Sequence, residues 1–129
     1  MASELRVNTL KDAAGANSVA MTYVAGGSAK AWVFSTNKTT YVPTGSFNIS
    51  SVTDNGAGRP EANFTSSFSD TNIVGSGDGG FNRTVGNYNV DGGITTSSFA
   101  HVLVTDSASI ADIANDGVGF GASYHGDLA

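Results

Sequence analysis

Residues 46–70 read SFNISSVTDNGAGRPEANFTSSFSD, and their pattern decides the fold class. Phe47, Ile49 and Val52 are spaced by polar residues, and the reading places all three on one side of a strand. The Asp54-Asn55-Gly56 cluster supplies residues that tolerate the left-handed backbone a chain reversal needs. Beyond it Ala62, Phe64 and Phe68 resume a partly alternating pattern, so the stretch predicts a β-hairpin.

Outward from the hairpin, Gly, Ser, Thr, Asn and Val dominate, and the whole chain reads as all-β, an antiparallel β-sandwich. Further strands are expected at 19–24, 29–34, 73–74, 94–105 and 118–124. Phe99 to Val104 is nearly continuous in apolar residues and is expected to be the most buried strand. In the last strand Val118, Phe120, Ala122 and Tyr124 form a packing face, while Gly119 and Gly121 open the other face to close approach. Residues 107–115 fit either one helical turn or an irregular strand. The first strand, with Leu5, Val7 and Thr9 on one face, has no hairpin partner in the reading, because 12–17 is a loop. It either pairs with a neighbouring chain or folds back as an edge strand. Residues 1–43 are thus expected to form an N-terminal extended arm with assembly strands, and 44–129 the sandwich domain.

The 129 residues suit one domain. Val, Ile, Leu and Phe number only 28, so the core is lean, and the absence of cysteine removes disulfides as a remedy. Oligomerisation is the remaining route to stability. Eleven acidic residues stand against six basic ones, which are scattered and leave no stripe for nucleic acid. The opening residues hold no apolar core of signal-peptide length, and no apolar run approaches a membrane span.

The wording of the hairpin, SFNISSVTDNG followed by NFT and a Ser-Asp pair, resembles the C-terminal domain of phage tail-fibre and related virion appendage proteins, especially those of marine phages. SELRVNTLKD at 3–12, AKAWV at 29–33 and the closing Gly126-Asp127 are similar to the same family. The likeness therefore spans most of the chain. It departs at VFSTNKTT (33–40), where the family carries a turn around Asn-Gly, and after Asn72, where GSGDGG (75–80) replaces an aromatic strand. The resemblance implies a non-enzymatic virion protein, made in the host cytoplasm and assembled as a homotrimer through Leu5, Val7, Leu10 and Trp32. As a tail-fibre-like appendage it would contact host-surface polysaccharide. The alternative is a decoration or head-fibre protein that stabilises the capsid, which the absence of a stalk in a chain opening on its own Met favours.

Side chains that carry chemistry are few. No nucleophile elbow, zinc-protease motif or phosphate loop is present, so the chain reads as no enzyme, with no cofactor and no metal. His101, between Ala100 and Val102, reads as a hydrogen-bonded structural histidine, and His125 as a surface residue. Asn87-Tyr88-Asn89-Val90-Asp91-Gly92 mimics the first half of a calcium loop, but Ser98 stands where a bidentate Glu belongs, so a polar turn is expected. Residues 75–80 read as a flexible tip. Within the 75–92 loops Asn87, Tyr88, Asn89 and Asp91 form the candidate ligand loop, with Tyr88 as its stacking face. Tyr23, Trp32, Tyr41 and Tyr124 default to core or interface packing.

Overall fold

The computed structural model describes residues 6–15, 17–36, 41–56, 58–78, 83–87, 93–105 and 120–129, with backbone only at 78, 83–87 and 103–105. Ten strands and one short helix follow in order: β1 (Thr9–Lys11), β2 (Ser18–Ala20), α1 (Met21–Gly27), β3 (Ala31–Ser35), β4 (Gly45–Phe47), β5 (Ile49–Asp54), β6 (Pro60–Phe64), β7 (Val74–Asp78), β8 (Arg83–Asn87), β9 (Ser98–Thr105) and β10 (Phe120–His125). β1 and β2 form a separate two-stranded ladder. The other eight strands make one antiparallel sheet in the order β4-β3-β10-β7-β8-β9-β6-β5.

The two edges of that sheet, β4 and β5, are consecutive in sequence and separated by Asn48 alone. The chain therefore leaves one edge and enters the other within a single residue, which requires the sheet to curl over until its edges meet. Asn48 makes the corner with a left-handed backbone (φ 53°), a conformation Asn tolerates better than most residues. Its side-chain amide is engaged at both the nitrogen and the oxygen. Asn48 Nδ2 donates to the Ser66 carbonyl at 3.1 Å, the Ser66 amide donates to Asn48 Oδ1 at 2.7 Å, and the Thr65 amide donates to the Asn48 carbonyl at 3.1 Å.

Curling brings strands that are distant in the ladder face to face. β9 and β10 lie three strand spacings apart, about 14 Å in a flat sheet, yet His101 Nε2 and the Tyr124 hydroxyl are hydrogen-bonded at 2.8 Å. Around this bond the aromatic rings form a chain across the core. Phe68 meets Phe64 (4.8 Å between centroids), Phe64 meets Tyr124 (5.1 Å), and Phe99 packs on His101 (4.8 Å), which reaches Phe120 (5.2 Å). Ala31, Val33, Ala62, Ile73 and Ala122 fill the gaps.

The predicted hairpin is β5–β6, with the expected turn. Asp54 Oδ1 accepts from the Gly56 amide at 2.9 Å, and Gly56 (φ 112°) and Gly58 (φ 68°) take the left-handed positions. Phe47, however, does not share a face with Ile49. The Asn48 corner turns it outward, 55 % exposed, whereas Ile49 and Val52 pack on the core. Those two reach the same face despite their odd spacing because the register shifts between Ile49 and Ser51, a β-bulge that absorbs one residue.

Four further expectations are corrected. The first strand is not alone: Thr9, Leu10 and Lys11 pair with Ala20, Val19 and Ser18 across the 12–17 turn, where Gly15 is left-handed (φ 69°) and Asn17 Nδ2 donates to Asp12 Oδ2 at 2.7 Å. The 19–24 run is not a strand throughout, since Met21–Gly27 is helical and only its start is extended. Residues 75–78 belong not to a flexible tip but to the inner strand β7, paired with β10 on one side and β8 on the other. Glycine is required there: a Cβ on Gly75 would stand 2.8 Å from the Phe99 ring. Arg83–Asn87, read as loop, is strand β8. The 107–115 segment lies outside the described residues.

Asn48→Ala should destabilise the fold by about 2–3 kcal/mol through lost hydrogen bonds plus left-handed strain. Asn48→Gly, which keeps the backbone freedom, should lose about 1 kcal/mol less. Urea unfolding of the two variants measures this; equal losses would mean that the corner's dihedral is not the constraint. Gly75→Ala should cost about 1–3 kcal/mol by overpacking against Phe99, and Phe99→Leu in the same chain should recover part of it.

Candidate functional site

The two halves of the curled sheet present different outer surfaces. On the β5–β6 half the outward side chains are polar and knit to each other, with Asn63 Nδ2 donating to Ser51 Oγ (3.1 Å) and Thr53 Oγ1 (2.9 Å), and Asn55 Nδ2 to Glu61 Oε2 (2.9 Å). Such a surface is well hydrated and asks for no cover.

The β4-β3-β10-β7 half is different. Ala31, Val33 and Ser35 of β3 point inward and are buried, so Trp32 and Phe34 must point outward. Trp32 stands directly opposite Phe47 on β4 and Ser123 on β10, and Ser123 stands opposite Ser76 on β7. One residue row therefore runs Phe47, Trp32, Ser123, Ser76. The next row holds Gly45, Phe34 and Gly121. Trp32, Phe34 and Phe47 are 43, 49 and 55 % exposed, a contiguous aromatic ridge on the open side of a sheet. A Cβ at Gly45 would lie 3.4 Å from the Trp32 ring, so the indole rests over that glycine.

Beside the ridge, Ser76, Gly77, Gly121, Ala122 and Ser123 line an open trough of about 300 Å³, in which the Ser76 and Ser123 hydroxyls are hydrogen-bonded at 3.1 Å. The glycine face expected for the last strand is thus the floor of this trough, while Phe120, Ala122 and Tyr124 pack inward.

The N-terminal unit, β1, β2 and α1, is the second open apolar surface. Leu10 and Val19 are opposite each other in the ladder and 43 and 40 % exposed; Val7, Tyr23 and Val24 are exposed as well, and α1 contains no buried residue. The helix ends where the Ser28 amide donates to the Val24 carbonyl at 3.1 Å, and the Lys30 ammonium donates to the Ala25 carbonyl in its last turn. The Lys30 amide in turn donates to the Tyr124 carbonyl at 2.8 Å, pinning the chain to β10 before β3 begins.

Of the expected assembly residues, Leu5 lies outside the described residues, and Val7, Leu10 and Trp32 are all exposed. Phe34 joins Trp32, and Phe47, expected on the same side as Ile49, joins it from the next strand. The alternation of AWVFS marks Phe34 as Trp32's neighbour in space; Phe47 could be found only by knowing the Asn48 corner. Of the ligand loop, the Asn87 backbone closes β8 opposite His101, and Tyr88, Asn89 and Asp91 lie outside the described residues.

His101 is buried and bonded to Tyr124, as a structural histidine. Burial pushes the Tyr124 phenol above its ordinary range. Among the described residues no three His, Asp or Glu side chains gather into a metal site, and no helix is long and apolar enough to cross a membrane. The chain matches no family model, no curated protein and no solved structure.

The Tyr124 shift has a sign that can be tested. A phenol whose folded pKa lies above its unfolded value contributes stability that is complete below about pH 10 and falls as pH rises further. Thermal or urea unfolding between pH 9 and 11.5 should therefore show stability declining by up to about 1.4 kcal/mol per pH unit from this group. Tyr124→Phe should lower stability at pH 7 by about 1–3 kcal/mol, since it deprives buried His101 of a partner, and should flatten the alkaline slope. An unchanged slope would place the titration elsewhere.

Proposed function

We propose that this chain is a non-enzymatic bacteriophage virion structural protein, a tail-fibre-like appendage that self-assembles, as a trimer, and contacts host-surface polysaccharide. The virion assignment rests on the resemblance of the SFNISSVTDNG hairpin and its flanking segments to phage appendage proteins. The observation that carries self-assembly is the uncovered aromatic ridge of Trp32, Phe34 and Phe47 on one side of a sheet whose other side is packed. Contiguous exposed apolar surface of this kind marks interaction sites in soluble proteins.

The lean core points the same way. With 28 large aliphatic and Phe residues and no cysteine, the chain has a modest interior, and burying a shared face adds to its stability. Its partners are then copies of itself and neighbouring virion proteins. The host-polysaccharide role belongs to loops at the end of the sheet that includes Asn87.

Gold-tagged antibody against the chain, applied to purified virions and viewed by electron microscopy, should label the tail. Label confined to the head would replace the appendage reading with capsid decoration, and unlabelled particles would remove the virion assignment. In solution, sedimentation equilibrium of the purified chain should give three times the chain mass.

A further inference from the structure

We infer that the N-terminal unit of one copy, residues 6–27, docks its apolar surface on the Trp32–Phe34–Phe47 ridge of a neighbouring copy. The inference deepens the self-assembling reading above by naming which surfaces meet.

Each surface lacks internal support. A lone two-stranded hairpin is marginal in water, and a helix of seven residues is shorter than any that holds by itself. The unit nonetheless combines the two with Val7, Leu10, Val19, Tyr23 and Val24 exposed, and among the described elements its larger packing contacts are those of β2 with β1 and with α1. The ridge is equally open, and it is preset: Trp32 rests over Gly45, and its strand is held on both sides by β4 and β10. A rigid aromatic platform loses little side-chain freedom on binding.

Area argues for an exchange between copies. Three aromatic side chains, each worth roughly 150–250 Å² and about half exposed, offer on the order of 300 Å², short of the roughly 800 Å² per partner of a stable interface. If the ridge met only another ridge, the contact would stay at that size. When each chain gives its N-terminal unit to one neighbour and receives another's on its ridge, both surfaces are covered in every subunit. Such a heterologous contact gives a ring where the rotation between copies closes, as in the proposed trimer. Charge favours the same pairing: residues 1–27 are neutral, with Arg6 and Lys11 against Glu4 and Asp12, whereas residues 28–129 hold nine of the eleven acidic residues and four of the six basic ones, so that a ridge-on-ridge contact would set like charges against each other.

The chain has one tryptophan and no cysteine, which makes two clean probes. In the full-length assembly, acrylamide should quench Trp32 weakly. In Leu10→Lys/Val19→Lys, which alters exposed positions, quenching should rise severalfold while the far-ultraviolet β signal persists. Separately prepared Val19→Cys and Phe34→Cys chains, mixed and oxidised, should yield a mixed disulfide dimer in preference to either homodimer. A monomeric full-length chain would overturn the self-assembly reading itself. An intact oligomer with Trp32 freely quenched, or with no mixed dimer, would overturn the docking alone. A monomer with shielded Trp32 would show the unit folded back on its own ridge and would equally overturn the exchange.

Discussion

The fold depends on a single-residue corner. Because β4 and β5 occupy opposite edges of an eight-stranded sheet and only Asn48 separates them, the sheet has no choice but to close on itself. The left-handed dihedral at Asn48 sets the direction of the turn, and its reciprocal hydrogen bonds to Ser66 fasten it to the end of the hairpin. A β-bulge immediately after the corner restores the inward face for Ile49 and Val52. Corner and bulge together let ten consecutive residues serve both edges.

Closure is what makes so lean a composition sufficient. A flat sheet with this few large apolar residues would expose half of them. Curling instead folds one face inward, where Phe64, Phe68, Phe99 and Tyr124 make ring contacts edge-on or at a tilt and Phe120 joins them through His101. Two of the polar groups taken into this core, the His101 ring and the Tyr124 hydroxyl, are hydrogen-bonded to each other across it, and the buried Ser35 hydroxyl donates to the Val42 carbonyl. Glycines at 75 and 126 give way to Phe99 and Phe68, so the rings fit against bare backbone.

The same closure leaves the outer face unequal. Ser51, Thr53 and Asn63 satisfy one another on the β5–β6 side, whereas Trp32, Phe34 and Phe47 line up on the β3–β4 side. The N-terminal hairpin and helix, in which no described residue is fully buried, are likewise open and apolar. β3 thereby divides its residues, alternate ones serving the core and the outward aromatic row.

By itself the sequence determined the β class, the β5–β6 hairpin with its Asp54–Gly56 turn, and the inward faces of β6 and β10. Each of these follows from turn chemistry or from the two-residue period of a strand, which act within a few positions. Tertiary structure alone decided the Asn48 corner, the outward turn of Phe47 and the placing of Val74–Asp78 in the interior of the sheet. A glycine-rich segment such as GSGD has no strand preference of its own; it becomes a strand because β10 and β8 supply its hydrogen bonds and Phe99 needs the space at Gly75. Those partners lie far along the chain, and no local pattern encodes which of them will meet.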